Sequence, residues 1–339
     1  RETSVVMLDP TTGHLLALVG GTKPAARQNL AAESLHEPAA TLTPFIYLTA
    51  LSQGYSAATM VLDVPTTFGD PEQVQAYTPP SDGHQFLGPI RLRQAAANGL
   101  TVPAIQVLSW VGVEQMRSTA HSLGLTAMQR EDGRFGLSLP VADGSASLLA
   151  LTFAYSVIAN SGVMAGQPSS NNLRPLTPIL IERVEDQDGN LLFANTSAER
   201  EILEPALAFL LNDMLADRNT RCLTQPCPSP LDLPDNRPAA VQLAQTSTNS
   251  WTIGYTPQLA VGGWLGNPDE TAANLTAAAG AAPVWQALMQ HALQDAPIAR
   301  WQQPSDLVET AVCDVSGLLP TPGWRRRRGG RGEGAPPPR

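Results

Sequence analysis

Short apolar strands at the two ends of this chain flank a mostly helical middle. Thr3–Leu8 and Leu15–Val19 read as strands around the turn formers Asp9-Pro10-Thr11-Thr12-Gly13, which predicts a hairpin. Gly20–Glu37 reads as a loop. The stretch Glu37–Gln53, EPAATLTPFIYLTALSQ, predicts a helix closed by Gly54 at its C-terminal cap. Tyr55–Pro89, rich in Pro, Gly, Asp and Thr, reads as a long irregular connection of the kind packed near a site. Leu92–Leu100 and Val102–Val111 predict short helices split near Pro103, and Glu114–Leu123 another, ended by Gly124. Ser145–Asn160 is strongly apolar with small residues. It predicts a buried helix with Ser145 or Ser147 as N-cap and Gly162 beyond its end.

Pro178–Val184 and Leu191–Phe193 predict a second hairpin around Asp188-Gly189. Glu204–Ala216 carries an apolar face at i, i+3, i+4 spacing, and Asp217–Pro238 reads as a polar, proline-rich loop. Three strands follow, Val241–Thr246, Trp251–Tyr255 and Leu259–Leu265, then a helix, Ala282–Leu293. Asp306–Cys313 is expected to form a last strand. The end strands must pair to hide their apolar faces. The order therefore predicts an α+β fold: an antiparallel sheet built from the N- and C-terminal strands, flanked by helices, with a helical subdomain in the middle. The chain has no run of βαβ units, which argues against a Rossmann fold, and no internal repeat.

Composition adds limits. The chain has 339 residues and is 43% hydrophobic, ample for a core. Its longest nearly apolar run, Leu148–Ala159, is too short to span a bilayer. The net charge is −9 although the last fifteen residues, RRRRGGRGEGAPPPR, hold six Arg. The body is thus more acidic than the whole, which argues against a nucleic-acid partner. The change of composition at Gly323-Trp324 sets 323–339 apart as an Arg/Gly/Pro-rich tail, either disordered or read in a shifted frame. Cys222 and Cys227 lie in a proline-rich loop. They either close a local disulfide outside the cytoplasm or stay reduced, and a zinc site would need ligands that are not nearby. The five His are scattered singly, and Lys23 is the sole lysine.

Three phrases carry a resemblance. Pro38-Ala39-Ala40-Thr41-Leu42-Thr43-Pro44-Phe45 resembles the Pro-Gly-Ser-x-x-Lys-Pro-Phe of the bifunctional, class A penicillin-binding proteins. Ala97-Asn98-Gly99-Leu100-Thr101-Val102-Pro103-Ala104 resembles their Ala-Asn-Ser-x-Asn-x-Pro-Ala. Gln245-Thr246-Ser247-Thr248 resembles their Lys-Thr-Gly-Thr. Flanking phrases match in the family's order, among them Leu8-Asp9-Pro10, Leu18-Val19-Gly20-Gly21, Trp251-Thr252-Ile253-Gly254-Tyr255-Thr256-Pro257-Gln258 and Pro283-Val284-Trp285. The resemblance implies a transpeptidase-like domain of the β-lactamase/DD-peptidase type over 1–322. Its sheet parts would be about 1–37 and 240–295, and its mainly helical part about 38–239.

In that family a Ser attacks a peptide carbonyl, and a Lys one turn later on the same helix face takes its proton. A second Ser with an Asn two residues on relays the proton, and Lys-Thr-Gly faces the substrate carboxylate. Here Ala40 stands at the nucleophile and Thr43 at its lysine. Gly99 and Thr101 stand at the Ser and Asn, and Gln245 at the second lysine. One lysine could not fill both cationic positions in any case. Alanine has no side-chain oxygen to acylate, and a threonine is no base at neutral pH. No catalytic residue is expected to be active. Thr246, Ser247 and Thr248 remain candidates for holding a peptide, and their β-branched members suit a strand equally well. A substitute nucleophile would have to be Thr41 or Thr43 served by Glu33, His36 or Glu37.

The expected function is a catalytically degenerate transpeptidase domain in cell-wall synthesis, acting as a structural or peptide- and partner-binding module. The alternative is an active transpeptidase or hydrolase using substitute residues. The partners implied are peptidoglycan stem peptide, cell-wall synthesis proteins and an upstream glycosyltransferase domain. The location implied is the extracytoplasmic face of the bacterial membrane, with an anchoring segment upstream. No metal or organic cofactor is implied.

Overall fold

The computed structural model describes residues 1–22, 28–69, 76–79, 83–126, 136–139, 144–169, 174–269, 271–273, 275, 280–313 and 316–320. Lys23 and the 323–339 tail lie outside the described residues. Strands β1 (Glu2–Leu8) and β2 (Leu15–Val19) form the first hairpin, and a 3-10 turn over Ala39–Leu42 leads into α1 (Thr43–Ser52). β3 (Met60–Asp63) and β4 (Gly88–Arg91) pair as a small ribbon. The helices α2 (Leu92–Asn98), α3 (Thr101–Val111), α4 (Val113–Ser122) and α5 (Leu148–Ala159) follow. β5 (Val163–Pro168) and β6 (Leu176–Thr177) precede a separate hairpin of β7 (Arg183–Glu185) and β8 (Leu191–Ala194), and β9 (Ala198–Glu201) returns to β5. Next come α6 (Pro205–Leu215), the short α7 (Arg218–Arg221), β10 (Ala240–Gln245), β11 (Asn249–Thr256), β12 (Leu259–Gly266) and α8 (Ala282–Leu293).

The two ends of the chain meet in one antiparallel sheet of order β10-β11-β12-β1-β2. β1 lies in it between partners from opposite ends, with Val6 opposite both Gly262 and Leu18. Alternation then sorts side chains to two faces. Val241, Leu259 and Val261 meet Trp285 and Met289 of α8. Val6, Leu8, Ala240, Ala244 and Ala260 join the larger core built on α5 and the other helices. Glycine at 262 admits α5, because a Cβ there would run into the Thr152 hydroxyl. Ser147 caps α5 by accepting from the Ala150 amide at 3.2 Å.

Several expected boundaries differ. The helix expected from Glu37 starts at Thr43, because the 3-10 turn intervenes. The irregular Tyr55–Pro89 stretch contributes β3 and the start of β4, whose strands of four residues are too short for a visible period. The expected loop Asp217–Pro238 holds α7, and Cys222 and Cys227 are joined in a disulfide with Cα atoms 5.6 Å apart. Asp306–Cys313 is no strand. It belongs to an extended strap after α8 on which Val308 is 86% exposed and residues 306–313 pair with no strand. The strap is fixed by Arg237, which donates to the carbonyls of Leu293, Ala296 and Pro297, and by Trp301, whose indole donates to Ala159 O at 2.8 Å. No helix among the described residues is long and apolar enough to cross a membrane.

Candidate functional site

The first motif segment is held from two directions. The Trp251 indole donates to the Glu37 carbonyl at 2.8 Å, and the Tyr155 hydroxyl donates to the Thr41 carbonyl at 2.7 Å. Tyr155 in turn packs edge-on against Phe45 and Tyr255. Burial, and then its neighbour Tyr255, push the Tyr155 hydroxyl well above the usual phenol range, and burial does the same to Tyr255. Both stay neutral donors at any ordinary pH. Pro44 sits in the first turn of α1, where its missing N–H would be unpaired anyway.

Within that frame the chemistry is spare. Ala40 presents a methyl group. The Thr43 hydroxyl donates back to the Ala40 carbonyl at 2.9 Å, and the Thr41 hydroxyl donates to the Pro38 carbonyl at 2.6 Å. Each candidate substitute nucleophile is therefore tied to backbone and buried. The His36 ring, one of the three candidate bases, stacks flat on Trp264 at 4.3 Å. Ala39 is held at φ +45°, a region that disfavours a Cβ.

The second segment spans the end of α2 and the start of α3. Gly99 closes α2 in the left-handed conformation, φ +64° and ψ 35°. A Cβ at Gly99 would lie 2.8 Å from Nε2 of Gln242 on β10. Gln242 is buried, and that Nε2 has no hydrogen-bond partner among the described residues. Thr101 is buried at the start of α3. Asn98, which matches the family phrase, works as a clamp. Its amide nitrogen donates to the carbonyls of Gln94 and Thr220, and its oxygen accepts from the amide and hydroxyl of Thr224. The disulfide loop is thereby tied to α2.

The third segment lies in a turn rather than along a strand. β10 ends at Gln245, and the Thr246 amide donates to Asn249 O at 2.9 Å to close the hairpin. The Thr246 hydroxyl accepts from the amides of Thr248 and Asn249, both at 3.1 Å, and meets the Thr248 hydroxyl. The short connection before Trp251 thus draws Thr246–Thr248 off the strand. Ser247 is exposed, and its carbonyl accepts from the Ala273 amide. Gln245 reaches the Leu275 carbonyl. By strand alternation it shares the α8 face with Val241, whereas Gln242 shares the face of Ala240 and Ala244.

The structure therefore brings the 3-10 turn and Gly99 to one face of β10 and leaves Gln245 on the other. Gln242, Tyr155 and Trp251 were not singled out from the sequence as site residues. Gln242 did carry a signal, an amide at an inward position of an otherwise small and apolar strand face.

The model of the penicillin binding protein transpeptidase domain matches residues 3–169. Penicillin-binding protein 2D of Bacillus subtilis is 26% identical in a match covering 93% of this chain and 44% of that protein. Penicillin-binding protein 1A of Pseudomonas aeruginosa is 25% identical, covering 95% and 44%. The chain belongs to the penicillin-binding-protein transpeptidase family. It spans less than half the length of these curated relatives. Two solved structures share the fold. Penicillin-binding protein 1A from Haemophilus influenzae superposes with a TM-score of 0.80 at 22% identity, covering 96% of this chain and 52% of the other. PonA1 from Mycobacterium tuberculosis, in complex with penicillin V, gives 0.73 at 19% identity, covering 94% and 84%. The family's structural phrases recur here as working parts. Pro44 starts α1, Trp251 fixes the loop before it, and Trp285 fills the α8 face.

Proposed function

We propose that this is a catalytically silent transpeptidase domain that serves peptidoglycan synthesis as a structural module. The observation that carries the proposal is the pair Ala40 and Thr43. The nucleophile's place holds a methyl group, and the base's place holds a hydroxyl bonded to that same alanine's carbonyl. Loss of a nucleophile alone costs such a site several powers of ten in rate. Here both Ser, both Lys and the Asn are replaced, while the residues that position the segments remain.

Two observations bear on what the domain does instead. The hydroxyls of Thr246 and Thr248 are drawn into the hairpin turn, which favours a structural role over peptide capture by those residues. The Cys222–Cys227 disulfide supports an oxidising, extracytoplasmic location. The resemblance to bifunctional class A proteins supports an upstream glycosyltransferase domain as the partner, anchored at the membrane. The competing reading, acyl transfer by a substitute hydroxyl, draws on Thr41 and Thr43, and both are committed to backbone carbonyls.

Hydrolysis of a thioester analogue of a stem peptide tests the proposal. The expected rate equals that of buffer alone, and enzyme-dependent thiol release contradicts it. Titration with a stem peptide ending in D-Ala-D-Ala separates the two silent roles. Saturable binding at the β10 turn would replace the structural role with a peptide-binding one.

A further inference from the structure

A cleft of about 660 Å³ opens between α6, α7, the Cys222–Cys227 disulfide and the strap. Neither Ala40, Thr43, Gly99, Thr101 nor Gln245 lines it. Its size is that of a site for a small ligand or a few peptide residues.

Its walls carry three arginines, Arg93, Arg218 and Arg300, and three aspartates, Asp213, Asp217 and Asp232. Asp213 and Asp217 both pair with Arg93. Asp232 pairs with Arg218 at 3.1 Å and with the buried Arg221 behind the wall at 3.5 Å. Those carboxylates are spoken for. Arg300, at the edge of the cleft, is exposed and has no partner among the described residues. Arg300 is therefore the one arginine of the lining with no carboxylate partner among the described residues.

Beside Arg300 stands an apolar platform. Trp301 and Phe209 line the cleft, both partly exposed. Trp301 is fixed in place by its indole hydrogen bond to Ala159 O at 2.8 Å and by its edge-on contact with Tyr255 at 5.8 Å. A rigid aromatic next to an unmatched guanidinium suits a ligand with an apolar side chain and one negative charge. A guanidinium fork fits a carboxylate in bidentate fashion. A phosphate group, with its near-double charge, would leave charge unmatched against one free arginine.

We propose that this cleft is a second binding site, separate from the motif segments, for a short peptide carrying a carboxylate. Arg300 takes the carboxylate, and Trp301 and Phe209 receive the neighbouring apolar side chain. A free peptide C-terminus and an Asp or Glu side chain offer the same chemistry.

The test is an NMR titration of the full chain, following the Trp301 indole N–H. The probes are acetyl-Phe-Ala with a free carboxylate, its C-terminal amide, and acetyl-Phe-Asp amide. One or both carboxylate peptides should shift the Trp301 signal saturably, and the neutral amide should bind at least about tenfold more weakly. Arg300→Gln should weaken carboxylate binding by about tenfold or more, with Arg300→Lys retaining part of it. Arg300 is exposed, so an unchanged Tm would show that the fold survives the substitution. Preference for the free C-terminus or for the side chain identifies the source of the carboxylate. Equal binding of acid and amide, no shift at millimolar peptide, or undiminished binding by the Arg300→Gln variant would each overturn the proposal.

Discussion

Gly99 and Gln242 touch across the gap between the α2–α3 junction and β10, so closely that a Cβ at Gly99 would come within 2.8 Å of the Gln242 amide nitrogen. A serine at this position would face both that nitrogen and a left-handed backbone at φ +64°. Gly99→Ser should therefore destabilise the domain by about 1–3 kcal/mol. Chemical denaturation of the two forms checks this, and an unchanged midpoint would show that the junction yields freely.

Gln242 should be expendable in the opposite sense. Its buried Nε2 lacks a partner among the described residues. Replacing the amide with an apolar group of similar shape removes a desolvation cost and no hydrogen bond. Gln242→Leu is expected to leave stability unchanged or raise it by about 1 kcal/mol. A large loss on denaturation would reveal a bond made by this amide.

Ala39 is held at φ +45° as the first residue of the turn that carries Ala40. A glycine adopts this conformation without a Cβ penalty, although it gains more freedom on unfolding. Ala39→Gly should stabilise the fold by about 0.5–1 kcal/mol net. The midpoint of thermal or urea unfolding should rise, and a fall would mean that the alanine methyl contributes more packing than strain.

Tyr155 and Tyr255 give the fold an alkaline limit. Their folded pKa values are raised by burial, so above the ordinary phenol pKa of about 10 the unfolded chain loses these protons and the native one does not. Their contribution is fully present below that pH and is lost above it, at about 1.4 kcal/mol per pH unit for each tyrosine. Absorbance titration should show these two phenols ionising only as the domain unfolds. Their ionisation in a domain that is still folded would contradict the buried bonds to Thr41 and Asn212.

Much of the sheet could be read from sequence because β11 sets Trp251, Ile253 and Tyr255 at every second position and α5 is apolar with a serine cap. β3 and β4 escaped because each has four residues within proline- and glycine-rich sequence. Asp306–Cys313 misled because apolar spacing alone does not supply a partner strand. In the site, the 3-10 turn with Ala40 and Gly99 come to one face of β10 and Gln245 to the other, a division that the phrases around them do not carry. The clamp from Tyr155 to Thr41 could not be read either, because 114 residues separate its ends. The placement of Thr246 depended on the length of the turn, which pairing with β11 decides.

The most direct test of a silent site is intact-mass spectrometry of the purified chain after incubation with a reactive penicillin. With a methyl group at Ala40 and the hydroxyls of Thr41 and Thr43 bonded to backbone, the mass should stay unchanged. A stoichiometric gain of one opened β-lactam would contradict the account, and peptide mapping of the adduct would name the residue that was acylated.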